Sequence, residues 1–165
     1  INHSLILDHR NSSTHAWKAI ILQAIYDSKL SLKELDYAYS LNPENQDVVN
    51  GYAIYYCKNK MSLEAIPWIK KLLIFDSNNS HMFVALLSCL FNTDQYKEIL
   101  QLTEKHNYQF SKEDEGMFHF LRAVAYCKQW DCIKATEEIE KAEKLCPDDE
   151  NIRKLFNTLT KYFKH

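Results

Sequence analysis

Four short segments each lie at the end of an amphipathic stretch: Leu41-Asn42-Pro43, Phe75-Asp76-Ser77, Phe110-Ser111 and Leu145-Cys146-Pro147. The closing residues of these segments follow one another at intervals of 34, 34 and 36 residues. A fixed interval near 34 residues is typical of arrays of helix–turn–helix units, which stack into a solenoid. The interval therefore predicts the architecture. It leaves the function open, because a solenoid is a surface for other molecules.

Composition favours a helical domain and disfavours several function classes. Of the 165 residues, 46% are apolar, and only two are glycine and three are proline, which argues against a protein of strands and turns. So few glycines also leave no Gly-rich loop of the kind that holds phosphate groups. The formal charge of −2 indicates no basic surface for nucleic acid. No apolar run approaches the ~18 residues that span a membrane, so we expect no membrane insertion.

The five cysteines and seven histidines form no metal-binding pattern, because neither Cys-x2-Cys nor His-x3-His spacing occurs. An odd number of cysteines without such pairs indicates a reducing compartment, and we expect the cytoplasm. Carboxylate runs at residues 113–115 and 148–150 fall at predicted helix starts, where they favour the helix dipole. We therefore expect no metal, no cofactor and no enzymatic activity.

Apolar residues recur at helical spacing between the closing segments. This periodicity predicts four helix pairs and a last amphipathic helix, over residues 12–43, 46–77, 80–111, 114–147 and 149–163. We expect the last helix to cap the array by covering the final pair. Ser31 and Glu34 have the spacing of a capping box near the start of the second helix, and Ser62 is the expected N-cap of the fourth.

The helix pairs resemble tetratricopeptide repeats (TPRs), in which small residues lie where two helices cross closely and larger residues fill the gap to the next pair. The second unit carries Tyr56-Cys57-Lys58 followed by Ala65, and the fourth carries Tyr126-Cys127-Lys128 followed by Ala135. The resemblance covers about residues 12 to 147. It implies an all-α fold, a right-handed superhelical solenoid of antiparallel helix pairs.

Two units depart from the family pattern. The third unit carries Leu87 and Ile99 at positions that are small in the family, and Asp94-Gln95-Tyr96 where the family usually has Gly-Asp-Tyr. In the first unit, Trp17 matches the leading aromatic only if the turn is two residues shorter. We expect a single domain over residues 1–165 with about four repeats. Because the chain begins at Ile1, we also consider that it is a piece of a longer protein.

In this family the first helix of each repeat lines a concave groove, so the resemblance implies a set of inward-facing residues. They are Asn50, Ile54 and Lys58 in the second unit, His81, Val84, Ser88, Phe91 and Asn92 in the third, and Met117, Phe120, Leu121, Val124 and Lys128 in the fourth. The groove becomes apolar toward its C-terminal half, which suits a peptide with a few apolar anchors. The competing explanation is that these apolar residues pack on the next helix pair or on the last helix.

Relatives that capture the acidic C-terminal tails of cytosolic chaperones use a clamp of Lys and Asn, then Asn, then Lys and Arg, at the second and sixth positions of successive repeats. Here those positions hold Asp47 with Gly51, His81 with Ala85, and Met117 with Leu121. The clamp is missing, so we do not expect this chain to bind chaperone tails.

The resemblance implies a non-catalytic protein-interaction module, an adaptor or scaffold, that binds a peptide or helix of a partner protein in its groove. Two alternatives stay open: an accessory domain of a larger enzyme or regulator, and a small chaperone of secreted substrates. We expect no small-molecule substrate and no nucleic acid as partner. A homodimer through Trp68, Trp130 or the last helix is a further alternative, since large apolar patches seldom stay exposed.

Overall fold

The computed structural model describes residues 11–25, 27–104 and 108–163 of the chain. Within these residues there are nine α-helices and no strand, which confirms the predicted all-α class. The helices are α1 (Ser12–Ala24), α2 (Ser28–Leu41), α3 (Gln46–Lys58), α4 (Ser62–Phe75), α5 (Ser80–Asn92), α6 (Tyr96–Thr103), α7 (Lys112–Lys128), α8 (Cys132–Leu145) and α9 (Glu150–Phe163).

Polar side chains just before the helices determine where most of them begin. The capping residues are Asn11, Asp27, Asn45, Asn79, Ser111 and Asp131, and each accepts a hydrogen bond from a backbone N–H of the first turn. Asp149 caps α9 in the same way, through the N–H groups of Asn151 and Ile152. These caps satisfy N–H groups that have no partner within the helix.

The predicted capping box in the second helix is wrong. α2 begins at Ser28 with Asp27 as its N-cap, so Ser31 and Glu34 lie inside the helix. Ser31 is fully buried and donates a hydrogen bond of 2.9 Å from its hydroxyl group to the carbonyl oxygen of Ala19. Asp27 supplies a hydrogen-bond acceptor one turn earlier, so the helix begins just after Asp27. Ser31 is then the small residue where the two helices cross.

Three of the turns inside the helix pairs contain a residue in the left-handed region. Lys60, Asp94 and Trp130 have φ angles of 58°, 58° and 64°, a conformation that glycine adopts without strain and other residues adopt rarely. Asp94 therefore takes the left-handed conformation at the position where the family usually has glycine. After Lys60 the N-cap of α4 is Met61, with no side-chain cap bond, so the predicted N-cap Ser62 is instead the first helical residue.

Helices α1–α4 belong to one compact unit, residues 1–77. In it α1 packs on α2 and α3, and α3 packs on α4. The core consists of Ala16, Ala19, Leu35, Ala38, Val48, Tyr52 and Tyr55. At Gly51 a Cβ atom would lie 2.4 Å from Cδ2 of Leu35, so α3 approaches α2 too closely for a side chain. Small residues at the crossings thus allow the close packing that the sequence pattern predicts.

The first helix pair aligns with the repeat pattern without the shorter turn that Trp17 would require. Trp17 is 48% exposed, whereas His15, two residues earlier, is 8% exposed. The hydrogen bond from Ser31 to Ala19 brings together the two positions that are small in the family. His15 therefore occupies the position of the leading aromatic residue, and Trp17 does not.

Helices α5–α9 form a second compact unit, residues 78–165. In it α7 packs on α5, α6 and α8, and α8 packs on α9. A core cluster contains Ala123, Ala135, Ile139, Ala142, Ile152 and Leu159. In the helix pair α5–α6, Leu87 and Ile99 are both fully buried, so larger side chains fill the positions that are small elsewhere. α6 is also short, with eight residues.

Candidate functional site

The predicted groove residues of α7 differ in burial. Phe120 and Val124 are half-buried, Met117 is 37% exposed and Lys128 is exposed. Steps of three and four residues place Met117, Phe120 and Val124 on one face of the helix. Leu121 is only 2% exposed, so its side chain contributes to the core. The accessible part of the α7 face therefore consists of Met117, Phe120 and Val124, which form an apolar row, and of Lys128 at the end of the helix.

A cavity of about 270 Å³ opens beside this row. It is lined by Phe120, Val124, Asn151, Lys154, Leu155 and Thr158. The apolar groups come from both helices, and the polar groups come from α9. A few polar groups around an apolar floor are the usual composition of a binding cleft.

α9 has a second role besides the predicted cap. Ile152 and Leu159 bury one side of the helix in the core cluster, as expected of a capping helix. Residues 151, 154, 155 and 158 lie at helical spacing and form a wall of the cavity. Lys154 pairs with Glu150 at 2.7 Å, but both side chains are about 70% exposed, so this ion pair is weak and leaves the ammonium group accessible.

The predicted groove residues of α5 are placed less uniformly. The ring centroid of Phe91 lies 6.5 Å from that of Phe120, which brings the two predicted aromatic residues together. Val84 is 6% exposed and belongs to the core, and Ser88 donates its hydroxyl hydrogen bond to the carbonyl oxygen of Val84 at 2.9 Å. His81 is exposed, with its Nδ1 3.4 Å from Oδ1 of Asp114.

In the same unit, Asn92 at the end of α5 is exposed. Nζ of Lys128, at the end of α7, lies 5.6 Å from the ring centroid of Tyr96. That distance places the ammonium group within range of a cation–π contact. Lys128 is thus oriented by an aromatic ring at the end of the α7 row.

In the first unit, Asn50 and Ile54 are half-buried on α3 and Lys58 is exposed at its end. Lys58 lines a cavity of about 320 Å³ together with Gln23, Ser28 and Asn59. Gln23 is 6% exposed and donates from Nε2 to the carbonyl oxygen of Tyr55 at 3.3 Å. Of the predicted residues of this unit, Lys58 therefore lies at a polar edge, in contrast to the apolar row of α7.

Comparison with known proteins shows the fold of the chain. No family model matches the sequence, and no curated protein sequence matches it. Among solved structures, pilF of Pseudomonas aeruginosa aligns with a TM-score of 0.71 at 15% identity, over 93% of this chain and 69% of that one. MamA aligns with a TM-score of 0.71 at 17% identity, over 93% and 88% of the two chains.

YrrB, described as a TPR protein with an unusual peptide-binding site, aligns with a TM-score of 0.51 at 15% identity, over 93% of this chain and 95% of that one. The chain has a TPR-like fold. The predicted helical-repeat architecture is thereby confirmed, and at these identities the likeness concerns the fold alone.

The described part of this TPR-like chain contains histidine, cysteine and carboxylate side chains in several of its helices. No group of three or more His, Cys, Asp or Glu side chains is placed to hold a metal ion there, and none of its helices is long and apolar enough to cross a membrane. Burial, together with the neighbouring Cys132, raises the pKa of the Cys127 thiol, and the thiol form is a poor nucleophile. The acidic residues 113–115 lie in the first turn of α7, as predicted.

Two ion-pair networks, around the half-buried Glu34 and the buried Glu138, were not predicted from the sequence. Nδ1 of His15 lies 2.6 Å from Oε2 of Glu34, and Nζ of Lys18 lies 2.6 Å from Oε1 of the same carboxylate. In the second unit, Nδ1 of His119 lies 2.7 Å from Oε2 of Glu138. Both pairs join residues 19 apart in sequence. Each histidine also lies 28 residues before Pro43 or Pro147. This shared spacing is the sequence signal that would have found them.

The carboxylates of both networks are stabilised in the charged form. Burial by itself raises the pKa of Glu138, but hydrogen bonds from His119 and Lys141 and the charge of Arg122 outweigh it and hold the pKa at about 2. The pKa of Glu34 is likewise lowered, because its bonds to Lys18 and His15 outweigh burial. Each network ties the first helix of a TPR-like pair to the second.

Proposed function

We propose that this protein is a non-catalytic interaction module that binds a peptide or helix of a partner protein, and that the α7–α9 cavity is the anchoring site. The observation that carries the proposal is the pairing of Phe120 and Val124 with Leu155 in one open cavity. The TPR-like fold supports it, since YrrB is described as having a peptide-binding site.

The chemistry of the cavity defines the partner segment. Its apolar floor suits one or two apolar anchors at helical or extended spacing. Asn151 and Thr158 can exchange hydrogen bonds with the backbone of a bound segment, and Lys154 favours an acidic residue beside the anchor. The proposed contact surface contains Met117, Phe120, Val124 and the α9 wall. The buried Val84 and Leu121 are not part of it.

The experiment is affinity capture from native lysate, read by mass spectrometry, with wild type and variants side by side. Phe120→Glu and Val124→Glu place a charge on the apolar floor and should abolish capture. Lys154→Glu changes only an exposed side chain and should weaken capture without risk to the core. Ile133→Glu is the matched control, because Ile133 is a 76% exposed apolar residue of the same unit that does not line the cavity.

Circular dichroism separates binding from folding. If Phe120→Glu and Val124→Glu lose helical signal, the two residues are core, and Lys154→Glu then decides the proposal. Unchanged capture by Lys154→Glu, or equal loss in Ile133→Glu, contradicts binding in this cavity.

A further inference from the structure

A second cavity of the 78–165 unit, about 540 Å³ in volume, has a different chemistry. Its lining includes Tyr108, Phe110, Glu115, His119, Arg122 and Lys141. None of these residues lines the α7–α9 cavity. The second cavity therefore lies outside the proposed peptide site, and its chemistry is independent of peptide binding there.

Two cationic side chains and one histidine of this cavity share one buried carboxylate. Glu138, 5% exposed, has its Oε2 2.7 Å from Nδ1 of His119 and its Oε1 3.0 Å from Nζ of Lys141. Nε of Arg122 lies 3.5 Å from Oε2 of Glu138, an ion-pair distance without hydrogen-bond geometry. Glu138 itself does not line the cavity, whereas its three partners do. The cations thus stand between the carboxylate and the cavity.

Aromatic rings hold the guanidinium group in place. The Arg122 guanidinium carbon lies 5.4 Å from the ring centroid of Phe118 and 5.7 Å from that of Tyr126, and Nη2 donates to the hydroxyl group of Tyr126 at 3.3 Å. A guanidinium positioned between rings loses little freedom when it binds an anion, and its planar fork matches a carboxylate. Phe110, whose centroid lies 4.9 Å from that of Phe118, extends the aromatic wall.

The network of the first unit serves as an internal comparison. His15 and Lys18 likewise contact the carboxylate of Glu34 on the next helix. Tyr37 follows Glu34 by three residues, as Lys141 follows Glu138, and its ring centroid lies 4.6 Å from that of His15. The second network therefore has a lysine, Lys141, at the position where the first network has a tyrosine.

We propose that the cavity beside Arg122 and Lys141 binds a carboxylate group. A singly charged anion suits the site better than phosphate, because Glu115 at the rim, 45% exposed and 4.0 Å from Nε2 of His119, repels a dianion. The ligand carboxylate is either the side chain of an acidic residue in a partner segment or a small organic acid.

The test is a ¹H–¹⁵N NMR titration that follows the arginine Nε–Hε signals. The chain has three arginines, Arg10, Arg122 and Arg153, so Arg10→Lys and Arg153→Lys assign the signal of Arg122. The probes are butyrate, a singly charged acid, and the blocked peptide Ac-Gly-Glu-Gly-NH2, with Ac-Gly-Gln-Gly-NH2 and inorganic phosphate as comparators. Saturable shifts of the Arg122 signal with butyrate alone identify a small acid, and shifts with both acids identify an acidic side chain as a ligand.

Substitutions at the cavity should change its affinity for a carboxylate in opposite directions. Lys141→Gln should weaken carboxylate binding by about fivefold, and Glu115→Gln should tighten it by about threefold, the range of half-exposed charge pairs. Lys144→Gln is the matched control on α8, because Lys144 is exposed and does not line the cavity. Backbone amide signals show whether each variant is folded. Equal shifts with the glutamine peptide, tighter binding of phosphate, or no difference between Lys141→Gln and Lys144→Gln would overturn the proposal.

Discussion

Replacing Glu138 by glutamine should remove a pH-dependent part of the stability of the 78–165 unit. The network lowers the pKa of Glu138 from its ordinary value of 4.5 to about 2, which corresponds to about 3 kcal/mol at about 1.4 kcal/mol per pKa unit. Because the folded state has the lower pKa, it binds fewer protons than the unfolded state. The contribution is therefore complete above pH 4.5 and is lost as the pH falls toward 2.

The expected difference in unfolding free energy between wild type and Glu138→Gln follows from these two pKa values. It is about 3 kcal/mol at pH 7, about 2 kcal/mol at pH 3.5 and about 1.5 kcal/mol at pH 3. The value at pH 7 is an upper limit, because the glutamine amide oxygen still accepts one hydrogen bond. Glu138 is 5% exposed, so solvent screens its carboxylate less than it screens a carboxylate at the surface.

Urea unfolding followed by circular dichroism at several pH values measures this difference. Glu137→Gln is the matched control, since Glu137 is the exposed neighbour on the same helix, and its substitution should change stability by less than about 0.5 kcal/mol. A difference for Glu138→Gln that stays constant from pH 7 to pH 3, or that is no larger than that of the control, would refute the assignment of the network as stabilising.

Three further outcomes can be measured by thermal or urea unfolding. Gly51→Ala should cost about 1–3 kcal/mol, because the new Cβ meets the fully buried Leu35 at 2.4 Å. Gly116→Ala should cost less, because its Cβ meets Sγ of Cys146, which is half-buried, whereas Leu35 is fully buried. The reverse order would contradict the packing. Lys60→Gly should stabilise the fold by about 0.5–1 kcal/mol, because glycine adopts the positive φ of 58° without strain, and Lys60→Val should destabilise it. Equal stability of the two variants would argue against backbone strain at residue 60.

Local signals in the sequence explain why the helices could be predicted. Pro43 and Pro147 follow helix ends because proline cannot continue a helix, and small residues such as Ala19 and Ala135 recur where helices cross. The period of the apolar residues then places each helix within a few residues of its observed bounds. The capping box at Ser31 failed, because its spacing is satisfied equally well inside a helix that Asp27 had already begun.

The candidate site was predicted only in part. The row of Phe120 and Val124 follows from the position of α7 in the repeat, but its opposite wall on α9 does not, because that helix follows the last repeat and its packing direction is a tertiary property. The burial of Leu121, at 2% exposure, likewise depends on which neighbour covers it. Family position assigns a face of the helix, and the neighbouring helices decide which members of that face stay accessible.

The sequence by itself determined the helices, their pairing and the TPR-like fold, because periodicity, capping and helix crossing are local and repeat at a constant interval. Tertiary structure decided where the charges are buried. His119 and Glu138 are 19 residues apart on different helices, and only the packing of α7 on α8 brings them to 2.7 Å. The strength of such a pair depends on distance and on exclusion of water, and neither quantity is encoded in the identity of the residues alone.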